Sequence, residues 1–331
     1  MAQTSLPLVT IAIPTYNRAS SYLMLALSSA LAQSYANLEV LVADNASTDG
    51  TADILQGIGD RRLRYIRQPV NIGANRNYNY CLSQARGDYF LLLHDDDAID
   101  EDFVAACMQA TRKEIRAGII RTGVRVIDGR GDTQTEISNL ADDTSLGRYY
   151  RSWFAGKTRW YLVNTLFHTE QLRAAGGFCS TYHLSEDGFA IARLAPFHPV
   201  DVCDVKASFR VHAGERTMAD PAAAVLWGRE YLELLDCMCG LVDDPEEIVA
   251  VRREGRRFFA RLAYNRAALL RSRAARIRAS YEVLRLFRYR CWPTHRSKTL
   301  RFFRQAAAYA RRRAERSPGR TVAPASSPSV R

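Results

Sequence analysis

Residues 87 to 97, Gly-Asp-Tyr-Phe-Leu-Leu-Leu-His-Asp-Asp-Asp, constrain this chain more than any other stretch. Phe90 to Leu93 is an unbroken apolar run, the pattern of a short strand buried on both faces. It ends abruptly in His94, Asp95, Asp96 and Asp97. Adjacent carboxylates at a strand end repel one another unless something neutralises them. A divalent cation with oxygen ligands is one solution, and in open parallel sheets ligands sit outside the carboxyl ends of the strands. The other solution is a solvated acidic turn that caps a helix beginning near Asp100. The run alone is compatible with both.

The chain before this stretch repeats one theme. Leu8 to Ile13 reads as a buried strand stopped by Pro14, and Ser20 or Ser21 is placed to cap a helix carrying Leu23, Leu27, Ala30 and Leu31 on one face. Leu38 to Val42 reads as a second strand ending in Ala43-Asp44-Asn45, and Leu63 to Ile66 as a third. Asn71 to Asn77 opens a further helix that runs through Tyr80, Cys81 and Ala85. Strand, turn and helix repeated in this way predict a doubly wound α/β arrangement with a parallel sheet. Every polar cluster follows a strand: Thr15 to Arg18, Asp44-Asn45, Asn71 to Arg76, and His94 to Asp97. In that topology they converge on one edge of the sheet and form one site. There is no Gly-x-Gly-x-x-Gly after the first strand and no Walker loop, which disfavours a dinucleotide dehydrogenase or a P-loop enzyme.

Downstream, Ile119-Ile120 and Val124 to Ile127 read as strands with a hairpin signal at Asp128-Gly129, and Tyr161 to Phe167 and Val205 to Val211 as further strands. Most of the aromatics between Arg148 and Tyr161 suit core packing better than stacking on sugars or holding a lipid. Ser185 is a good N-cap for a helix through Leu194, with Glu186 and Asp187 in its first turn. The seven cysteines lack a paired metal-ligand spacing apart from Cys237 and Cys239, which does not make a zinc site and suits a reduced, cytosolic protein. The start of the chain lacks the pattern of a signal peptide, and no apolar stretch is long enough to span a bilayer.

The motifs, taken together, resemble family 2 glycosyltransferases of the bacterial cell-surface polysaccharide type. Val9 to Arg18, Glu39 to Thr51, Asn71-Ile72-Gly73, Gly87-Asp88-Tyr89 and Asp95-Asp96-Asp97 follow in that family's order and spacing. Gly176-Gly177-Phe178, Ser185-Glu186-Asp187 and Phe209 to His212 resemble its acceptor-side half. The resemblance implies a GT-A type doubly wound mixed sheet, with a nucleotide-binding half and an acceptor half. It implies that Pro14, Thr15, Tyr16, Asn17, Arg18, Asp44, Asn45, Asn71, Gly73, Arg76 and Asp95 bind the nucleotide sugar, with Asp44 accepting hydrogen bonds from the base. It further implies Mg2+ or Mn2+ held at Asp96, with Asp97 supporting and His212 a late ligand to metal or diphosphate. Asp187 would be the general base of an inverting transfer. The family's metal signature usually begins with an acid where this chain has His94.

Charge divides the molecule. Residues 251 to 331 hold 23 Lys and Arg against 3 acids, a balance of +20, whereas residues 1 to 250 hold 23 against 32, a balance of −9. The arginines interleave with Phe and Leu at helical spacing, as in helices that lie on an anionic membrane surface, or in a packed appendage with a solvated basic face. The expected organisation is a catalytic domain over residues 1–215, a basic helical region over 216–316 and a disordered tail over 317–331. The expected partners are a nucleotide-sugar donor, a glycan or lipid-linked acceptor and an anionic membrane surface, with a cytoplasmic protein peripheral to the inner face of the cell membrane. Nucleic-acid binding by the arginine-rich helices is the alternative; it leaves the carboxylates unexplained, and no nucleic-acid motif is present. A nucleotidyltransferase making sugar nucleotides is disfavoured by the lack of a glycine-rich first loop.

Overall fold

Continuous apolar runs become the centre of the sheet. In the computed structural model, which describes residues 6–111, 116–140, 145–212, 223–270 and 272–288, β1 (Val9–Thr15) is buried along its whole length. After α1 (Leu23–Leu31) comes β2 (Leu38–Asp44), buried except at Glu39. The chain continues through α2 (Thr51–Gln56), β3 (Leu63–Arg67), α3 (Ala74–Gln84), β4 (Tyr89–Leu92), β5 (Ala98–Ile99) and α4 (Phe103–Ala110). Strands β1, β2, β3 and β4 are mutually parallel, as the predicted β-turn-α repeats require.

The second half turns the sheet mixed. It comprises β6 (Ile119–Ile127), β7 (Thr133–Ile137), α5 (Leu146–Phe154), β8 (Thr165–His168), α6 (Thr169–Ala174), α7 (Glu186–Leu194) and β9 (Val200–Arg210). The nine-stranded sheet has the order β3-β2-β1-β4-β8-β6-β9-β5, with β7 paired to β6. Strand β8 is antiparallel to β4 and β6, whereas β9 runs parallel to β6. A core of Val9, Ile11, Ile13, Val40, Val42, Leu91 and Leu93 extends to Ile120, Val124, Leu166 and Ala207, so the two halves share one apolar interior. The helices α8 (Ala223–Gly240), α9 (Pro245–Ala268) and α10 (Arg273–Leu286) complete the described chain.

Several local expectations are corrected. Pro14 does not stop β1, which continues to Thr15. Pairing of β1 with β4 ends at Ala12 and Leu92, where Leu93 N donates to the Ala12 carbonyl at 2.9 Å; Pro14, the next residue of β1 on that side, has no N–H to offer a further rung. Neither Ser20 nor Ser21 caps α1, whose N-cap is Tyr22 without a side-chain bond. Ile119 to Ile127 is one strand, with a register shift around Gly123. Tyr161 to Asn164 forms a turn before β8, closed by the Thr165 hydroxyl on the Tyr161 carbonyl. Most aromatics of α5 and its sequel pack as expected: Tyr149, Tyr150, Phe154 and Trp160 are buried, and Trp153 stacks on Trp160 with ring centroids 4.2 Å apart.

The chain divides into two compact units at places other than residue 215. Residues 230–256 group with the sheet, while 223–229 group with the described residues from 257 onward. In the second unit, Ala224, Ala267, Leu270 and Ala279 form a small core, and the Arg266 guanidinium lies 3.4 Å from the Trp227 ring centroid. The arginine-rich stretch from 299 to 313 and the 317–331 tail lie outside the described residues.

Candidate active site

The loop after β1 and the loop after β2 are sewn together by side chains of the predicted motif. Asn17, with φ of 54°, donates its backbone N–H to Ser47 Oγ at 2.8 Å and accepts from Thr48 N through its Oδ1. Asp44 is fully buried at the end of β2. Its Oδ1 accepts from Ser47 N and its Oδ2 from the Tyr65 hydroxyl, both at 2.8 Å, with Arg67 Nε at 3.6 Å. Burial, then the Asp44 contact, pushes the Tyr65 hydroxyl well above its ordinary value, so it stays a donor. Asn45 reaches the third loop: its Nδ2 donates to Asn71 Oδ1, and its Oδ1 accepts from Ile72 N. Gly73 follows with φ of 84° and ψ of 154°, a conformation suited to glycine, and its N–H closes on Asn71 Oδ1.

The acidic run joins the same edge. Thr15 Oγ1 donates to Asp95 Oδ2 at 2.8 Å, and Arg18 Nε lies 3.6 Å from Asp95 Oδ1. These contacts make β1's loop and β4's terminus one crevice. Asp97 is buried and accepts from the backbone N–H of Arg210 at 2.8 Å. The described side-chain contacts of Asp95 go to Thr15 and Arg18 and those of Asp97 to Arg210 N and His94 Nδ1, not to the N-terminus of α4, whose N-cap Asp102 makes no side-chain capping bond. The helix-capping alternative fails on that point. Asp96 is partly exposed, with Oδ2 3.0 Å from His212 Nε2.

Sequence reasoning missed two members of this cluster. Arg210, on β9, donates from Nε to the Asp96 carbonyl at 2.7 Å and from Nη1 to the Asp128 carbonyl at 3.1 Å, while its guanidinium lies 4.5 Å from the Tyr22 ring centroid. Tyr22 donates to the Gly129 carbonyl, and its ring packs against His212. An arginine near the end of the Val205 to Val211 strand signal, two residues before His212, was the available clue to the first; nothing local marked Tyr22. Arg76 and Tyr16 are exposed.

His94, Asp96 and Asp97 each offer a ligand atom, and these atoms lie within 4.8 Å of one another. Two carboxylates and one imidazole suit a dication of the Mg2+ or Mn2+ type, so the residues present fit such an ion. His212, expected as a late ligand to metal or diphosphate, lies beside this cluster, with Nε2 3.0 Å from Asp96 Oδ2. The electrostatics point the same way. Burial pushes the Asp95 carboxyl up to about 6, the Asp96 charge adding to the rise while Thr15 and Arg18 oppose it. Asp97 is raised well above the ordinary carboxylate range by burial and then by the charge of Asp96.

Carboxyls with raised values keep protons in the folded protein that the unfolded chain has already released. The contribution of Asp95 to the stability of the metal-free protein therefore falls as pH rises from the ordinary 3.8 through about 6. A dication replaces those protons. Mn2+ is expected to raise Tm more on the alkaline side of about 6 than on the acid side. An equal shift in Tm on both sides would show that the ion binds elsewhere.

Asp187 lies in the first turn of α7, partly exposed, with Gly188 N donating to its Oδ1 at 2.7 Å. Ser185 is the N-cap residue, but its Oγ is buried and without a partner among the described residues, so the expected side-chain cap is absent. Glu186 is buried and accepts from Asn75 Nδ2 at 2.7 Å, tying this turn to the first turn of α3. Asn79 brackets Phe178, accepting from its N–H and donating to its carbonyl. Gly177 takes φ of 68°, a conformation that favours glycine, and a Cβ there would press on Asn79 Oδ1.

A mixed α/β sheet with these clusters at the strand ends defines a GT-A type protein. The solved structures similar to this chain have that fold: S. aureus TarS in complex with UDP-GlcNAc, at a TM-score of 0.56 and 17% identity, covers 85% of this chain and 89% of its own. The mannosyltransferase PcManGT of Pyrobaculum calidifontis, in complex with GDP-Man and Mn2+, aligns at a TM-score of 0.53 and 18% identity over 96% of this chain and 82% of its own. The family model for glycosyl transferase family 2 matches residues 10–175, and the chain belongs to that family. Chondroitin synthase of Escherichia coli is 38% identical over 128 residues, which cover 38% of this chain and 18% of that protein. The chain spans less than half the length of the curated relatives it matches.

Proposed function

We propose that this chain is a metal-dependent, inverting glycosyltransferase that moves a sugar from a nucleotide sugar to a glycan or lipid-linked acceptor in surface polysaccharide synthesis. The observation that carries this reading is the union of the acidic run with the nucleotide loop through Thr15, Arg18 and Asp95. One crevice then offers both a place for a base and ribose and a place for a metal diphosphate. Asp44, held rigid by Ser47 and Tyr65, stands at the end of β2 to accept from a base; Thr15, Asn17 and Arg18 line the path toward the ribose. His94, Asp96 and Asp97 would hold the dication, which when bound stabilises charge on the departing nucleoside diphosphate. Asp187 takes the proton from an acceptor hydroxyl. That oxygen bonds to the anomeric carbon as the carbon–oxygen bond to the diphosphate breaks on the opposite face, so the configuration inverts.

The bound donors of the two structural neighbours, UDP-GlcNAc and GDP-Man, support a nucleotide sugar without choosing between bases. The test is hydrolysis and transfer across UDP-, GDP-, dTDP- and CDP-sugars with Mg2+ or Mn2+ and with chelator. Turnover of one donor class that chelator abolishes is the expected result; turnover of none refutes the reading.

Membrane attachment in this reading is electrostatic. No described helix is long and apolar enough to cross a membrane. Phe258, Phe259, Leu284 and Phe287 are buried and serve packing, while Val249 and the side chains of Arg257, Arg261, Arg273, Arg278, Arg285 and Arg288 are exposed. A basic residue near an anionic bilayer gains about 1 kcal/mol. The protein is expected to co-sediment with phosphatidylglycerol vesicles at low salt and to be released by salt. No co-sedimentation at low salt would leave the acceptor a soluble glycan. An inner-leaflet location follows from the same reading.

A further inference from the structure

Glu230, on α8, has no solvent exposure, and no cation is among its described partners. A buried carboxylate of that kind is costly unless hydrogen bonds replace its water. Here four donors do so, and all come from one short segment. Oε1 accepts from Ser180 Oγ at 3.0 Å, from Leu184 N at 3.0 Å and from Ser185 N; Oε2 accepts from Tyr182 N at 2.6 Å. The chain wraps around the carboxylate tightly enough that His183 takes φ of 56°, a strained value for a side chain with a Cβ. Strain of that sort persists only where the surroundings over-determine it.

The segment so wrapped leads directly into the first turn of α7. Ser185 is held by its backbone N–H to Glu230 rather than by its own hydroxyl, and the next residue, Glu186, is anchored to Asn75 on α3. Asp187 follows at once. Its backbone is therefore set from two sides, by Glu230 through the preceding loop and by Asn75 through Glu186. We infer that Glu230 is a positioning residue: its buried carboxylate organises residues 180–185 so that Asp187 meets the acceptor oxygen in an attacking geometry. This rests on the reading of Asp187 as the general base. The negative charge matters as well as the shape. A glutamine of the same size would aim an amide N–H at backbone N–H groups and would accept more weakly from the rest.

The test compares Glu230→Gln, Glu230→Asp and Asp187→Asn in the full chain. Hydrogen exchange of the 180–187 segment, binding of UDP and GDP with Mn2+, and nucleoside diphosphate release from UDP-GlcNAc and GDP-mannose are measured. In Glu230→Gln, exchange at Tyr182, Leu184 and Ser185 should rise while the Asn71 to Gln84 region and diphosphate binding stay as in the wild type. Turnover should fall by roughly 100-fold, the scale of a misplaced reacting group, and Glu230→Asp, which keeps the charge, should recover part of it. Unchanged exchange in the segment overturns the inference, and so does wild-type turnover in Glu230→Gln when Asp187→Asn is inactive. Loss of diphosphate binding in step with turnover overturns it too, because Glu230 then supports the whole fold. If Glu230→Gln does not fold, the same criteria apply to Glu230→Asp. Wild-type turnover in Asp187→Asn refutes the base assignment itself, and with it any role for Glu230 through Asp187.

Discussion

Asp96→Ala is expected to abolish the metal-dependent binding of nucleoside diphosphate while leaving the protein folded. The side chain is partly exposed, and its described contact is with His212 Nε2; the carbonyl that Arg210 holds belongs to the backbone and survives the substitution. Removing one of three neighbouring carboxylates also relieves repulsion, because Asp96 adds to the raised values of both Asp95 and Asp97. Tm without metal should therefore hold or rise, whereas the increase in Tm on adding UDP or GDP with Mn2+ should vanish. A variant that still shows the full Mn2+-dependent increase would move the ion away from Asp96.

Asp187→Asn should behave in the opposite way. Diphosphate binding is expected to persist, and transfer should fall by a factor on the order of 10² to 10⁴, the usual contribution of general-base assistance. Asparagine keeps the size of the side chain and can still accept from Gly188 N, so the first turn of α7 should stand. Measuring diphosphate binding and turnover on the same preparation separates the two roles. Retained binding with lost turnover is the signature of the base. Lost binding together with a lowered Tm would mean that Asp187 serves the start of the helix instead.

The two variants probe features that were legible to different degrees. Asp44, Asp95 and the Asn71 loop could be placed together from the order of strands alone, since a doubly wound parallel sheet brings its strand ends to one edge. Their partners in space are close to that expectation: Thr15 meets Asp95, and Asn45 meets Asn71. Arg210 could not be found in this way. It reaches Asp97 across 113 positions, through a strand that runs parallel to β6 in a sheet that has by then become mixed. No local pattern encodes that crossing. The arginine-rich helices carry two readings for a related reason. Phe and Leu at helical spacing describe an apolar face, but the spacing does not say whether the face meets a bilayer or a protein interior; Phe259 and Phe287 are buried.

Local chemistry therefore settled the strands and the site's edge: short apolar runs such as Val9 to Ile13 and Phe90 to Leu93, each closed by polar or turn residues, suit strands in the middle of a sheet, and the polar clusters then fall at its end. Tertiary structure decided which charges face one another there. The burial that raises Asp97, the guanidinium of Arg210 beneath Asp96, and the four donors converging on Glu230 all depend on elements distant in sequence. Desolvation and hydrogen-bond direction are properties of the packed interior, and they exist only once those distant segments have met.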